Sequence, residues 1–160
     1  MLLGIVSDTH GHVENTRRAI RMLDSLGIEQ VIHCGDIGST EIPPLFAAWP
    51  THFVFGNVDY NEVDLREAIA QSRLKCHGRF GELTLGQWKL AFLHGDDQPL
   101  LCEAIEGGRY DLVCHGHTHV ARQARQGKTL ILNPGAMYRA NPHSIAVVDA
   151  ATLRPSIIAV

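Results

Sequence analysis

One device recurs five times along this chain: a short apolar run that ends abruptly in a polar loop holding glycine together with Asp, Asn or His. Leu2-Leu3-Gly4-Ile5-Val6 runs into Ser7-Asp8-Thr9-His10-Gly11, and Val31-Ile32-His33 into Cys34-Gly35-Asp36. Phe53-Val54-Phe55 runs into Gly56-Asn57-Val58-Asp59, Leu90-Ala91-Phe92-Leu93 into His94-Gly95-Asp96, and Leu112-Val113-Cys114 into His115-Gly116-His117-Thr118-His119. Continuous apolar runs of this length read as strands buried on both faces, as in parallel sheets covered by other layers. A fold built on such strands must place the loops at strand ends.

The segments between the runs agree. Val13, Thr16, Ile20 and Leu23 recur at helical spacing among charged residues, and Gly27 supplies a stop, so an amphipathic helix follows the first strand. Pro43-Pro44 followed by Leu45 to Trp49 predicts a short helix ended before Pro50, and Asn61 is placed to cap another. Leu100, Leu101, Ala104 and Ile105 form a helical stripe stopped by Gly107-Gly108. Phe80 to Leu90 alternates apolar and polar residues around glycines, the pattern of an antiparallel hairpin, which makes the sheet mixed. Thr129 to Leu132, Ser144 to Val148 and Ser156 to Val160 complete the strands, with Asn133-Pro134-Gly135 as a turn. Residues 1–160 read as a single α/β domain without linker or repeat.

In α/β sheets, ligands bind outside the carboxyl ends of the strands, so loops remote in sequence meet at one edge. Collecting the polar side chains there gives Asp8, His10, Asp36, Asn57, His94, His117 and His119, all able to ligate metal. In extended segments residues i and i+2 point the same way, so Asp8/His10 and His117/His119 are each expected to offer two ligands to one volume. Imidazole combined with carboxylate and amide oxygen suits Zn²⁺, Mn²⁺, Fe or Ni²⁺ rather than Ca²⁺. Seven ligands exceed what one metal with open positions takes, so two metals sharing a carboxylate is the simplest reading, with Asp36 the best bridge.

Composition narrows the partners. The net charge is −3 and no Lys/Arg-rich block exists, which argues against a stable nucleic-acid partner. No apolar run approaches the ~20 residues of a membrane span, and the first is interrupted by Asp8 too soon for a signal peptide, so a cytoplasmic protein is expected. The four cysteines, Cys34, Cys76, Cys102 and Cys114, contain no Cys-x-x-Cys pair and read as reduced core residues.

The motifs Ser7-Asp8-Thr9-His10-Gly11, Cys34-Gly35-Asp36, Gly56-Asn57-Val58-Asp59, Leu93-His94-Gly95, Gly116-His117-Thr118-His119 and Asn133-Pro134-Gly135 together resemble the calcineurin-like metallophosphoesterases, in particular their small single-domain phosphodiesterase branch. The resemblance implies a four-layer αββα sandwich, two mixed β-sheets flanked by helices. It implies a phosphoester hydrolase in which Asp8, His10, Asp36 and His119 hold one metal and Asp36, Asn57, His94 and His117 the other, with a metal-bridging hydroxide as nucleophile. Asp36, Asn57 and His94 are the residues it places closest to the chemistry. Mn²⁺ is the expected cofactor pair, with Ni²⁺, Fe²⁺/Fe³⁺ or Zn²⁺ as alternatives. The resemblance also implies a small phosphodiester substrate such as a nucleotide, and a homo-oligomer.

One position departs from the pattern. Many larger members carry His where this chain has Val58, and that His is thought to protonate the leaving group. A positioned general acid contributes about 10²–10⁴-fold, so its loss favours good leaving groups or a substitute such as His12 or His143. His12 and Arg139 are candidate substrate contacts, each weighed against simple solvent exposure. His115, His33, His52 and His77 read as structural. Two rival functions stand beside the phosphodiesterase: a catalytically weak scaffold, because the same branch resembles the retromer scaffold subunit, and a phosphomonoesterase.

Overall fold

The computed structural model describes all 160 residues. Strand β1 (Leu2–Val6) lies at the centre of a six-stranded sheet that includes β2 (Gln30–His33), β3 (Thr51–Phe53), β4 (Lys75–Cys76), β10 (Ser144–Asp149) and β11 (Arg154–Ala159). Their order is β11-β10-β1-β2-β3-β4, parallel from β1 to β4 and antiparallel from β1 to β11. A second sheet of five strands, β5 (Phe80–Leu85), β6 (Trp88–Leu93), β7 (Leu112–Cys114), β9 (Thr129–Asn133) and β8 (Arg122–Gln126), runs β5-β6-β7-β9-β8. Within it β6, β7 and β9 are parallel, and the edge strands are antiparallel.

The alternation of side chains along β1 fixes the layers. Leu3 and Ile5 face the second sheet, meeting Phe92, Leu112 and Leu132 in a buried cluster, while Val6 faces Leu23 of α1 (Val13–Ser25) and Ile69 of α2 (Glu62–Gln71). A third cluster packs Leu101 and Ala104 of α3 (Gln98–Glu106) onto Ala91, Leu93 and Val113 of the second sheet. The result is the expected helix, sheet, sheet, helix sandwich. Gly4 sits where β1 meets α1: a Cβ there would come 2.7 Å from Leu23 Cδ2, so the glycine lets the helix lie close on the strand. No helix is long and apolar enough to cross a membrane.

Several local expectations need correction. Pro43 to Phe46 forms only one 3₁₀ turn, because the chain must reach β3 within a few residues. The strand expected over Phe53 to Phe55 pairs as β3 only to Phe53; Val54 and Phe55 stay extended, with the Phe55 amide donating to Gly78 O at 2.7 Å. β4 and the polar β8 carry no apolar signature and exist through pairing with their neighbours. All four cysteines are free, but only Cys34 and Cys114 are core residues; Cys76 is half-buried and Cys102 is exposed on the outer face of α3.

The parallel strands of both sheets end at the same rim. Asp8 follows β1, Asp36 follows β2 and Asn57 lies beyond β3, while His94 follows β6 and His117 and His119 follow β7. Asn133 closes β9 at the same rim.

Candidate metal centre

The local backbone at this rim is unusual. Of the eight non-glycine residues with positive φ, five are sequence candidates for the centre: Asp8 (55°), His10 (45°), Asp36 (52°), His117 (70°) and His119 (59°). Left-handed backbone costs an L-residue roughly 1–2 kcal/mol, and its concentration here marks a site whose surroundings impose the conformation. These turns also correct the extended-segment expectation. Asp8 and His10 do face one another, with His10 Nε2 3.8 Å from Asp8 Oδ1. His117 and His119 diverge: His119 Nε2 lies 3.2 Å from Asp8 Oδ1, whereas His117 Nδ1 lies 3.1 Å from Asn57 Oδ1.

Seven side chains thus meet in one place, graded from buried to open. Asp8, Asp36 and His94 are buried, His10 and His119 are half-buried, and Asn57 and His117 are exposed. Two three-residue groups have ligand atoms close enough to share one cation: Asp8, His10 and His119, and Asp8, Asp36 and His94. Asp8 is the member common to both. Asp36 Oδ2 stands between the groups, 3.4 Å from His10 Nε2 and 3.1 Å from His94 Nε2.

The supporting bonds aim these atoms. His94 Nδ1 donates to Cys34 O at 2.9 Å, which leaves the Nε2 lone pair directed at the carboxylates. Asp36 Oδ1 accepts the Val58 amide at 3.1 Å, and Asp8 Oδ2 accepts the His117 amide at 3.1 Å. Asp59, buried behind the loops, accepts the Gly56 and Gly38 amides at 2.8 and 2.9 Å and so ties the β2 and β3 loops together. Asn133 Nδ2 donates to Gly116 O and Thr118 Oγ1, fixing the His117–His119 turn. His33 donates from Nε2 to Thr9 Oγ1, whose own proton goes to Ile37 O, and burial lowers its pKa to about 3.

Close approach is part of the construction. A Cβ on Gly56 would overlap Asp36 Oδ1, and one on Gly116 would overlap Ser7 Oγ, so neither loop position accepts a side chain.

Does a cation fit? Asp8 Oδ1, His10 Nε2 and His94 Nε2 are buried ligand atoms without a hydrogen-bond partner. Burying such atoms unsatisfied is costly; a cation at the first group would satisfy Asp8 Oδ1 and His10 Nε2, and one at the second would satisfy His94 Nε2. Burial opposes a charge on His94, yet the adjacent Asp36 and Asp8 carboxylates raise its pKa overall. Burial likewise opposes ionisation of Asp36, but His94 and the Val58 amide outweigh it and lower its pKa. The site therefore attracts positive charge, with histidine and carboxylate donors of the kind that bind transition metals.

The remaining candidates divide. His12 caps α1 beside the centre and stacks on Tyr138 at 4.7 Å. Arg139 holds its guanidinium over the same ring at 5.0 Å, and Tyr138 also lies 4.8 Å from His10. Tyr138 was not singled out from sequence; its only signal was an aromatic residue beside Arg139 after the Asn133-Pro134-Gly135 turn. His115 points away, its Nδ1 3.2 Å from Gly116 O, and belongs to neither group. His143 is also in neither group and offers its carbonyl to the Val160 amide.

The model for the calcineurin-like phosphoesterase superfamily domain matches residues 1–153. A phosphodiesterase of Methanocaldococcus jannaschii is 33% identical over 138 residues, covering 84% of this chain and 83% of its own. The solved structure of an archaeal phosphodiesterase superposes with a TM-score of 0.92 at 30% identity, covering 100% of both chains. Vacuolar protein sorting 29 from Cryptosporidium parvum shares the fold, with a TM-score of 0.67 at 18% identity over 98% of this chain and 95% of that one.

Proposed function

The chain belongs to the calcineurin-like phosphoesterase superfamily, and on that premise we propose that it is a dinuclear metal-dependent phosphodiesterase acting on small diesters, with residues 1–160 as one catalytic domain. The observation that carries the reading is the set of three orphaned, buried ligand atoms, Asp8 Oδ1, His10 Nε2 and His94 Nε2, around two carboxylates. Asp8, His10, Asp36 and His119 would hold one cation and Asp36, Asn57, His94 and His117 the other. Asp36 is the proposed bridge because Oδ2 already stands between His10 and His94. Two divalent ions held there, Mn²⁺ by preference, would supply Lewis-acid polarisation of phosphoryl oxygens and an activated water as the nucleophile for in-line attack.

The chain's own residues do the rest. The Cys34 carbonyl fixes the His94 tautomer, the Val58 amide fixes Asp36, and Asp59 holds the two loops in register, so little reorganisation is needed when substrate arrives. Exposed Asn57 and His117 leave the phosphate side of the cleft open, which admits a diester with substituents on both sides. Val58 carries no proton to give the leaving group. His12, stacked on Tyr138, is the proposed substitute acid, and leaving groups of low pKa are favoured.

The test is hydrolysis of bis(p-nitrophenyl) phosphate and p-nitrophenyl phosphate side by side with Mn²⁺, for wild type and Asp36→Asn. The expected result is metal-dependent turnover that prefers the diester and falls by at least about 10²-fold in the variant, the scale on which removal of an electrostatic stabiliser acts. Preference for the monoester would replace the reading with a phosphomonoesterase. No turnover of either substrate across Mn²⁺, Zn²⁺, Ni²⁺ and Fe²⁺ would replace it with a binding role, for which the fold shared with Vps29 is the precedent.

A further inference from the structure

A cavity of about 510 Å³ opens beside His119, which lines it. Its walls include Val120, Ala121, Ala140, Pro142 and Ile157, with Arg139 at the mouth. Two of the chain's five exposed large hydrophobics, Val120 (63% exposed) and Ile157 (37%), fall in this one lining. The volume lies within the range of small-molecule sites, far larger than a phosphate requires.

Arg139 gives the cavity its chemistry. It is the only Lys, Arg, Asp or Glu in the lining, so no carboxylate there competes for it. Its backbone is left-handed (φ 47°), which turns the side chain back over Tyr138. Tyr138 is wedged in turn against His10 and His12. One face of the guanidinium plane is thus occupied by an aromatic ring. The residue is exposed, leaving the other face accessible. Guanidinium planes and flat apolar walls favour planar rings over flexible alkyl chains.

The geometry points to this cavity as the subsite for one ester group of the substrate, a planar aromatic or nucleoside group that stacks on Arg139 and lies against Val120, Ala140 and Pro142. The inference rests on the phosphodiesterase reading, which puts phosphorus at the centre next to His119. It explains why the chain would discriminate among diesters despite an open centre. It also assigns Arg139 a stacking role, distinct from a contact to the phosphate itself.

The experiment compares kcat/KM for three diesters with the same p-nitrophenolate leaving group and a methyl, phenyl or thymidine 5′ group retained, using wild type, Arg139→Ala and Arg139→Lys. The phenyl and thymidine esters should exceed the methyl ester by about tenfold or more in wild type, mainly through KM. That ratio should collapse in Arg139→Ala and stay collapsed in Arg139→Lys, which restores charge but no plane. An equal loss on all three esters, or rescue by Lys, would make Arg139 a phosphate contact or a structural residue and overturn the subsite. A second readout is independent of turnover: amide shifts on titrating phenylphosphonate and methylphosphonate with Zn²⁺ present. Shifts at Val120, Ala121 and Ala140 with the phenyl compound alone support the subsite, and their absence overturns it. If those shifts occur while no diester is hydrolysed, the subsite stands and the phosphodiesterase reading falls.

Discussion

His119 shows how single residues here trade backbone energy for position. Its φ of 59° is one an L-residue adopts at a cost, and the imidazole it delivers lies 3.2 Å from a buried carboxylate oxygen. At ordinary sites Ala is more stable than Gly by about 0.5–1 kcal/mol, because Gly loses more chain entropy on folding. In the left-handed region the order reverses, since only the residue with a Cβ suffers the clash, about 1–2 kcal/mol. His119→Gly and His119→Ala both remove the imidazole and differ only in this respect. In metal-free protein, urea unfolding should find the Gly variant more stable than the Ala variant by about 0.5–1 kcal/mol net. Ala equal to or above Gly would mean that the turn carries no strain. Both variants should lose metal-dependent activity, which separates the ligand's role from the backbone's.

At the scale of elements, β3 and β4 are joined through a chain of side chains at the edge of the first sheet. Gln30 Nε2 donates to His52 Nε2 at 2.8 Å, and His52 Nδ1 donates to His77 Nε2 at 2.8 Å, so both rings are held neutral. Burial, helped by the neighbouring His77 and Lys75, lowers the His52 pKa from 6.5 to about 4. Burial and Lys75 lower that of His77 as well. Between about pH 6.5 and 4 the unfolded chain therefore binds a proton at His52 that the folded chain does not. Stability is full above 6.5 and is lost as pH falls through that window. Unfolding free energies at pH 7 and 4.5 should fall on the order of 1–2 kcal/mol further for wild type than for His52→Gln; parallel losses would show that the pair does not titrate. The same edge shows what sequence conveys about elements. β1, β6 and β7 were legible because burial on both faces leaves an unbroken apolar run, and the metal-competent residues were legible because they follow those runs. β4 and β8 were not, since an exposed edge strand owes its form to hydrogen bonds with a neighbour and carries no hydrophobic pattern. Nor were the divergence of His117 from His119, which depends on φ, or Tyr138, whose role arises only when the loop after β9 folds beside α1.

Over the whole molecule, the centre lies across the junction of two sheets that pack on one another through a largely apolar interface. Asp8, His10, Asp36 and Asn57 come from the first sheet, and His94, His117 and His119 from the second. A cation at either three-residue group would be ligated by both sheets at once, because Asp8 pairs with His119 in one and with His94 in the other. Such an ion links two layers that the backbone connects only through the short crossover from β4 to β5 and the longer return from β9 to β10. Ligands that bind only the folded state stabilise it by RT ln(1 + [L]/Kd), about 2.7 kcal/mol at a hundredfold excess over Kd. For a chain of this size that is a rise in Tm of roughly 5–10 °C. Mn²⁺ or Zn²⁺ should therefore raise Tm over EDTA by this amount in wild type. The gain should disappear with Asp36→Asn in the first sheet and equally with His94→Asn in the second. Hydrogen exchange should slow together in the loops after β1, β2, β6 and β7 when metal is added. Protection confined to the histidine loops of the second sheet would mean adventitious binding to imidazoles, and the centre would lose its role as the joint between the sheets.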